Sequence, residues 1–255
     1  MIIVEQQQSY LMVTQHDHAQ VSGEFARNWK EEYFPGIERK QDVELAVFEH
    51  DCGWLNVDAQ PKWNNEKNRP FSFVDYPIDS KISLYTKGIS EVAEQNSYAG
   101  LLCSLHYASF LQGGSAPAGV VFWNKENKRQ QQLYVELGIA GDPDKEKKLM
   151  DHLEILKFCD NLSLYVCLNE PGVRKSHEHP FFRNGFPQSF PFANHMPIHA
   201  HWKDQETVKL SVSPFEEIVE VKLAYKEVKK DRIKRSGLVE AYREAPMCQR
   251  RLEIK

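Results

Sequence analysis

Hydrophobic residues recur every three or four positions from residue 15 to about residue 169, which is the period of an amphipathic helix. This pattern predicts helices over residues 15–30, 40–52, 80–95, 97–112, 124–138 and 145–168. Turn-rich segments, such as 61–77 and 113–119, separate the predicted helices. Before the first helix, residues 2–5 and 10–13 indicate a short β-hairpin.

The period changes after the last predicted helix. Residues 171–205 are rich in Pro, Phe and His and indicate a loop. Hydrophobic residues then alternate with polar ones over 207–212 and 219–225, which predicts antiparallel strands. The predicted fold is mainly α, with a small antiparallel β-sheet of C-terminal strands that the N-terminal hairpin can join. We expect one compact domain with three parts: a helical body with the hairpin (1–170), the loop (171–205) and a β appendage (206–255).

Composition narrows the functional classes. The chain has 255 residues, of which 41% are hydrophobic, and its net charge is −4. A sizeable core can form, whereas nucleic acids and anionic membranes are not expected as partners. No apolar stretch approaches the roughly 18 to 20 residues of a membrane span, and the start has no signal-peptide pattern. We expect a cytoplasmic protein with a small-molecule substrate. The sequence is compatible with a homo-oligomer.

Two local features have a structural and a functional interpretation. Residues 222–255 carry a net charge of +6, which a solvated sheet face or a contact with an acidic partner would explain. The five cysteines show no paired metal-ligand spacing, so reduced core residues are expected. Cys52 lies beside a His-Asp pair, and a nucleophilic role is the alternative there.

Ionisable residues interrupt the apolar faces of four predicted helices. They are His18, His50, Asp51, His106 and Asp160. A buried carboxylate costs several kcal/mol unless a cation or hydrogen-bond donors satisfy it. Each residue alone could be a hydrogen-bonded core residue, but one site between the helices explains all five. Imidazole nitrogens and carboxylate oxygens suit one or two divalent ions of Zn, Fe or Mn.

The order of these residues resembles the HD-domain superfamily of metal-dependent phosphohydrolases. The resemblance implies an HD-like helical bundle in which His18, His50, Asp51 and Asp160 are metal ligands. His106 would match the additional His of two-metal members. One position departs from the pattern: Trp54 follows Gly53 where many HD hydrolases have a Lys, so a positive charge that could hold a phosphate is missing there.

Longer stretches of sequence resemble an uncharacterised bacterial family, domain-of-unknown-function family 3891. The similar stretches are Gln15–Ala19, His50–Trp54, Ser104–Ala108, Asp160–Tyr165 and Ser213–Phe215. This likeness extends over nearly the whole chain. It implies a fold and a site, but no reaction.

These features lead us to expect a metal-dependent hydrolase, and specifically a phosphohydrolase of a small phosphorylated metabolite or nucleotide. Asp51 and His106 are the candidate catalytic residues, with Asp51 as general base or bridging ligand. His16 or Asp17 could orient the site, or could be surface and capping residues. Two alternatives remain: a di-iron oxygenase of the HD type, and a non-catalytic protein that binds a metal or ligand at a degenerate site.

The 171–205 loop supports two further hypotheses. The pairs His177-x-His179 and His199-x-His201 could form a second zinc site. The phenylalanines of the loop could instead cover the helical body, and the loop could form a wall of the pocket that governs access. We favour the second hypothesis, because alternating histidines near a strand are a weak signal.

Overall fold

The computed structural model describes residues 1–255, and helices occupy most of the chain up to residue 168. They are α1 (Gln15–Arg27), α2 (Lys40–Glu49), α3 (Leu55–Asp58), α4 (Ile78–Gln95), α5 (Ser97–Leu111), α6 (Pro117–Glu136) and α7 (Pro143–Leu168). The six predicted helices are confirmed, although α6 begins earlier than expected, at Pro117, whose fixed φ suits a first helical position. None of the helices combines the length and apolar character that crossing a bilayer requires.

A six-stranded sheet lies beside the helices. Its strands are β1 (Ile2–Glu5), β2 (Ser9–Val13), β5 (Ala200–Trp202), β6 (Thr207–Leu210), β7 (Val219–Lys229) and β8 (Met247–Ile254). The strands β3 (Trp63–Asn64) and β4 (Arg69–Pro70) form a separate two-stranded ribbon. The sheet has the order β1-β2-β7-β8-β6-β5. The N-terminal hairpin joins the C-terminal strands, with Tyr10 of β2 opposite Val228 of β7.

The prediction of a wholly antiparallel sheet is wrong in one place. Strand β8 lies between β7 and β6, and it pairs with β6 in parallel, with Val208 opposite Ile254. The insertion is possible because two unpredicted helices, α8 (Lys230–Ser236) and α9 (Leu238–Glu244), carry the chain from β7 to the start of β8. These helices are too short for their hydrophobic period to be recognised in the sequence.

One face of the sheet is buried, and the other is covered only in part, since Glu220, Lys222 and Arg251 are exposed. One face contributes residues such as Val221 and Leu252 to the main hydrophobic core, which also contains residues of α1, α2, α4, α5 and α7. On the other face, Tyr10 and Met12 pack in a smaller cluster with Tyr242 of α9. The helical body and the C-terminal strands therefore share a core, and burying it holds the sheet and the helices together.

The 171–205 loop is fastened to α7. Its residues Phe182, Phe186 and Phe190 are buried, which confirms the prediction that phenylalanines of the loop cover the helical body, and Phe186 packs edge-on against Phe158 of α7 at 5.1 Å between ring centroids. The buried Glu178 carboxylate accepts hydrogen bonds from the Tyr165 hydroxyl at 2.7 Å and from the Lys175 ammonium at 2.6 Å. These polar contacts fix the base of the loop.

The turn after α2 makes a close backbone contact with α4. A Cβ atom added at Gly53 would lie 2.3 Å from the carbonyl oxygen of Leu84 and 3.1 Å from the amide nitrogen of Gly88. Both are backbone atoms, which cannot rotate away as a side chain can. Only glycine at position 53 therefore lets this turn, which carries His50 and Asp51, rest directly on α4.

We expect Gly53→Ala to lower the free energy of unfolding by about 1–3 kcal/mol, the usual cost of overpacking a close contact. Urea denaturation followed by circular dichroism measures the change. The matched control is Gly119→Ala in α6, where the nearest atom to an added Cβ is 3.9 Å away. That control should not lose stability, because alanine favours a helix over glycine. Equal losses in the two variants would contradict the close-contact argument.

Candidate metal centre

The structure brings the five predicted residues together in the middle of the helical bundle. His18 is on α1, His50 and Asp51 directly follow α2, His106 is on α5 and Asp160 is on α7; all are buried. The Nε2 atoms of the three imidazoles point toward the two carboxylates. His18 Nε2 lies 3.1 Å from Oδ1 of Asp160, and His106 Nε2 lies 3.4 Å from Oδ2 of the same residue.

The spacing of the ligand atoms fits a metal ion. Two groups of three residues have all their ligand atoms within 4.8 Å of one another: His18, His50 and Asp51, and His50, His106 and Asp160. A divalent ion about 2.0–2.2 Å from each ligand would hold neighbouring ligand atoms about 3 Å apart. Because the two groups share His50, the arrangement suits one ion or an adjacent pair.

The backbone partner of His50 fixes which ring nitrogen carries the hydrogen in the neutral imidazole. Nδ1 lies 2.7 Å from the carbonyl oxygen of Val47, and a carbonyl cannot donate, so Nδ1 carries a hydrogen. In the neutral ring Nε2 then has a lone pair. This atom is buried with no hydrogen-bond partner, and Oδ2 of Asp51 lies 3.5 Å away. A lone pair facing a carboxylate is stable only if a cation or a second proton lies between them.

Ser163 orients His18 in the same way. The Ser163 hydroxyl donates its single hydrogen to the backbone carbonyl of His18 at 2.8 Å, so its oxygen accepts a hydrogen bond from His18 Nδ1, also at 2.8 Å. In the neutral His18 ring, Nε2 is therefore the atom with the free lone pair. Two imidazoles thus present metal-binding nitrogens to the same space.

The Asp51 carboxylate is held on both oxygens. The Gln15 side-chain amide donates to Oδ2 at 2.9 Å, and the Tyr107 hydroxyl donates to Oδ1. Gln15 is itself fixed, because its backbone N–H donates to the buried Asp58 at 2.6 Å. Such outer contacts orient a ligand and are typical of metal centres.

The electrostatics of the cluster call for a positive charge. Burial lowers the pKa of His106 to about 3, so this ring is uncharged at neutral pH. Burial acts to raise the pKa of Asp160, whereas positive charge on the neighbouring His18, His50 and His106 rings would lower it. Because His106 carries no charge at neutral pH, it cannot contribute to stabilising the Asp160 carboxylate. A bound divalent ion would supply that stabilisation.

A cavity of about 360 Å³ opens onto the cluster. Its walls include Trp54 and Tyr85 on one side, and Phe181, Pro187 and Gln188 of the 171–205 loop on another. The loop therefore forms part of the cavity wall, as expected from the sequence. The volume lies within the range of small-molecule sites.

Several residues of the site did not stand out in the sequence. Gln15, Tyr107 and Ser163 hold the ligands, while Lys157 and Gln188 line the cavity. Lys157 lies one helical turn before Asp160 and could have been found by asking which polar residues share its face. Gln188 lies in an irregular loop, where no period indicates which way a side chain points.

Other candidates lie outside the cluster. Thr14 caps α1: its hydroxyl accepts a hydrogen bond from the Asp17 backbone N–H at 2.9 Å and donates to the Asp17 carboxylate at 2.6 Å. Neither His16 nor Asp17 lines the cavity. Burial, followed by the charge of Glu91, raises the pKa of the Cys52 thiol to about 12, so this residue is not a nucleophile at neutral pH. The hypothesis of a second zinc site is wrong, because the loop histidines belong to neither group of potential metal ligands.

Comparison with known proteins identifies a family but no activity. No curated protein and no solved structure matches the chain significantly. A family model described as "Protein of unknown function (DUF3891)" matches residues 1–230, and this range includes all five residues of the cluster. The chain therefore belongs to the DUF3891 family.

Proposed function

We propose that the protein is a metal-dependent hydrolase that cleaves a phosphoester of a small phosphorylated metabolite or nucleotide. The observation that carries the proposal is the pair of buried imidazole nitrogens, Nε2 of His18 and of His50, which face carboxylates with no hydrogen between them in the neutral rings. The order of the ligands along the chain resembles that of HD-domain phosphohydrolases. Membership of that superfamily, with an HD-like bundle, is part of the proposal.

The donor set fits a divalent transition metal. His18, His50, Asp51 and Asp160 would hold the ion, and His106 would be a further ligand or part of a second site. Neutral imidazole and carboxylate ligands suit Zn, Fe and Mn. When bound, such an ion supplies a water whose pKa is lowered toward about 7, so that hydroxide is available near neutral pH.

The residues of the chain have distinct roles in this proposal. Asp51 is the general base: its carboxylate takes a proton from the attacking water as the new P–O bond forms, and the ester P–O bond breaks to release an alkoxide that takes up a proton from solvent. Gln15 and Tyr107 keep the Asp51 carboxylate in one orientation while this happens. Burial keeps His106 uncharged, which is the state in which an imidazole binds a metal.

We expect protein purified without chelator to contain about one or two equivalents of a transition metal per chain, and His50→Ala or Asp160→Ala to contain less than about a tenth of that. Elemental analysis by plasma mass spectrometry measures the content. His201→Ala is the matched control, because His201 is exposed and lies outside both groups of potential ligands. Wild-type protein that holds less than about a tenth of an equivalent of any transition metal contradicts both the hydrolase and the oxygenase hypotheses.

A finer prediction concerns the residue that fixes the His18 ring. We expect Ser163→Ala to weaken metal affinity by about 10- to 100-fold, the usual effect of losing such an outer partner. Ser22→Ala is the control, because the Ser22 hydroxyl also donates to the His18 carbonyl, at 3.1 Å, but makes no hydrogen bond with the ring. Competition with a chelating dye gives both affinities. If the two variants lose metal affinity equally, the contact between Ser163 and the His18 ring does not determine that affinity, and the prediction is wrong.

The reaction class is tested on metal-loaded protein. We expect phosphate release from a panel of nucleotides and small phosphoesters, and an Asp51→Asn variant should lose at least about 100-fold of that activity through the loss of its general base. The same protein loaded with ferrous iron should not consume oxygen in the presence of the panel. Oxygen consumption without phosphate release would support the di-iron oxygenase alternative instead, and protein that holds metal but shows neither reaction would support a non-catalytic site.

A further inference from the structure

One of the side chains that line the cavity is positively charged and is not a candidate metal ligand. Among the residues that line the cavity, Lys157 is the sole Lys or Arg. It lies on α7 three residues before Asp160 and four before Asn161, which also line the cavity, so one face of the helix carries all three. Lys157 therefore lies on the same wall of the cavity as Asp160.

Lys157 is partly exposed and has no close ionic partner. Its side chain is 23% exposed, and its nearest carboxylate is that of Glu154, with Nζ and Oε1 separated by 3.9 Å. This distance is too long for a hydrogen bond, and Lys157 makes none within the chain. By contrast, Lys147 on the same helix is 68% exposed and its ammonium is 2.5 Å from the Asp151 carboxylate. A charge without a close partner at a cavity wall is available to a ligand.

A second donor faces the same space from the 171–205 loop. The Gln188 side chain is 95% buried and lines the cavity. Its Oε1 accepts a hydrogen bond from Asn161 Nδ2 at 3.4 Å, and its Nε2 donates to no group within the chain. A lysine and a glutamine from two different segments thus line the cavity that contains the cluster.

We propose that Lys157 and Gln188 form an oxyanion subsite that binds phosphoryl oxygens of the substrate. This inference rests on the proposed hydrolase function and assigns its substrate an anionic phosphate end. The subsite supplies the positive charge that is absent at Trp54, from another helix. Lys157 forms charge-assisted hydrogen bonds to the phosphate, and Gln188 donates neutral ones. Neither residue binds the metal, so each can be changed without removing a metal ligand.

The experiment measures the binding of inorganic phosphate to the metal-loaded full-length protein by calorimetry. We expect Lys157→Met to weaken phosphate binding by about tenfold or more, and Gln188→Leu to weaken it by about threefold to tenfold. Lys157→Arg should stay within about threefold of the wild type, since it keeps the charge. Lys147→Met is the matched control and should not change the affinity.

Metal content, measured on every variant, separates this inference from the proposed function. We expect it to be unchanged in Lys157→Met. The inference is overturned if wild-type protein binds no phosphate, or if phosphate affinity in Lys157→Met stays within about twofold of the wild type. Wild-type protein that lacks a transition metal contradicts the proposed function instead, and phosphate binding that depends on Lys157 in such protein would still support the subsite.

Discussion

The burial of two carboxylates and three imidazoles between α1, α2, α5 and α7 is the constraint around which the helical body is arranged. Removing Asp51 and Asp160 from water costs several kcal/mol each unless partners replace the solvent. The Gln15 amide and the Tyr107 hydroxyl donate to the Asp51 carboxylate. The Ser163 hydroxyl and the Val47 carbonyl accept from the His18 and His50 rings. These contacts lie on the outer side of the cluster, and on the inner side three Nε2 atoms meet the carboxylates in a space that could hold a cation.

The residues of the cluster could be predicted because the period of a helix indicates which of its residues are buried. His18, His106 and Asp160 each fall on an apolar stripe with a period of 3.6, so their inward direction follows from position alone. Lys157 falls on the same face of α7 as Asp160, but the sequence alone does not distinguish a half-buried lysine on a helix from a solvated one. The parallel pairing of β6 with β8 could not be predicted from the sequence either, because it depends on contacts between distant segments and not on any local pattern.

Trp54 occupies the position at which the HD-domain pattern of the proposed function often has a lysine. The position after Gly53 is occupied by an aromatic ring that packs against Tyr76 and Tyr85, at 5.5 Å and 6.3 Å between ring centroids. A lysine there would leave this aromatic contact unmade. A comparison of sequence motifs alone shows only that the lysine charge is missing at this position. In three dimensions, Lys157 lines the cavity that Trp54 also lines, although more than a hundred residues separate them in the chain.

The 171–205 loop is fixed at one end and lines the cavity at the other. Its base is tied to α7 through Glu178 and to strand β5 through the hydrogen bond from Lys175 to the Ala200 carbonyl, whereas Phe181, Pro187 and Gln188 form part of the cavity wall and supply no candidate ligand. Substitutions at these wall positions would leave both the anchoring contacts and the buried cluster in place. Under the proposed function, the cavity wall and the buried cluster are therefore separable, and relatives could differ in the substrates they accept while keeping the same cluster.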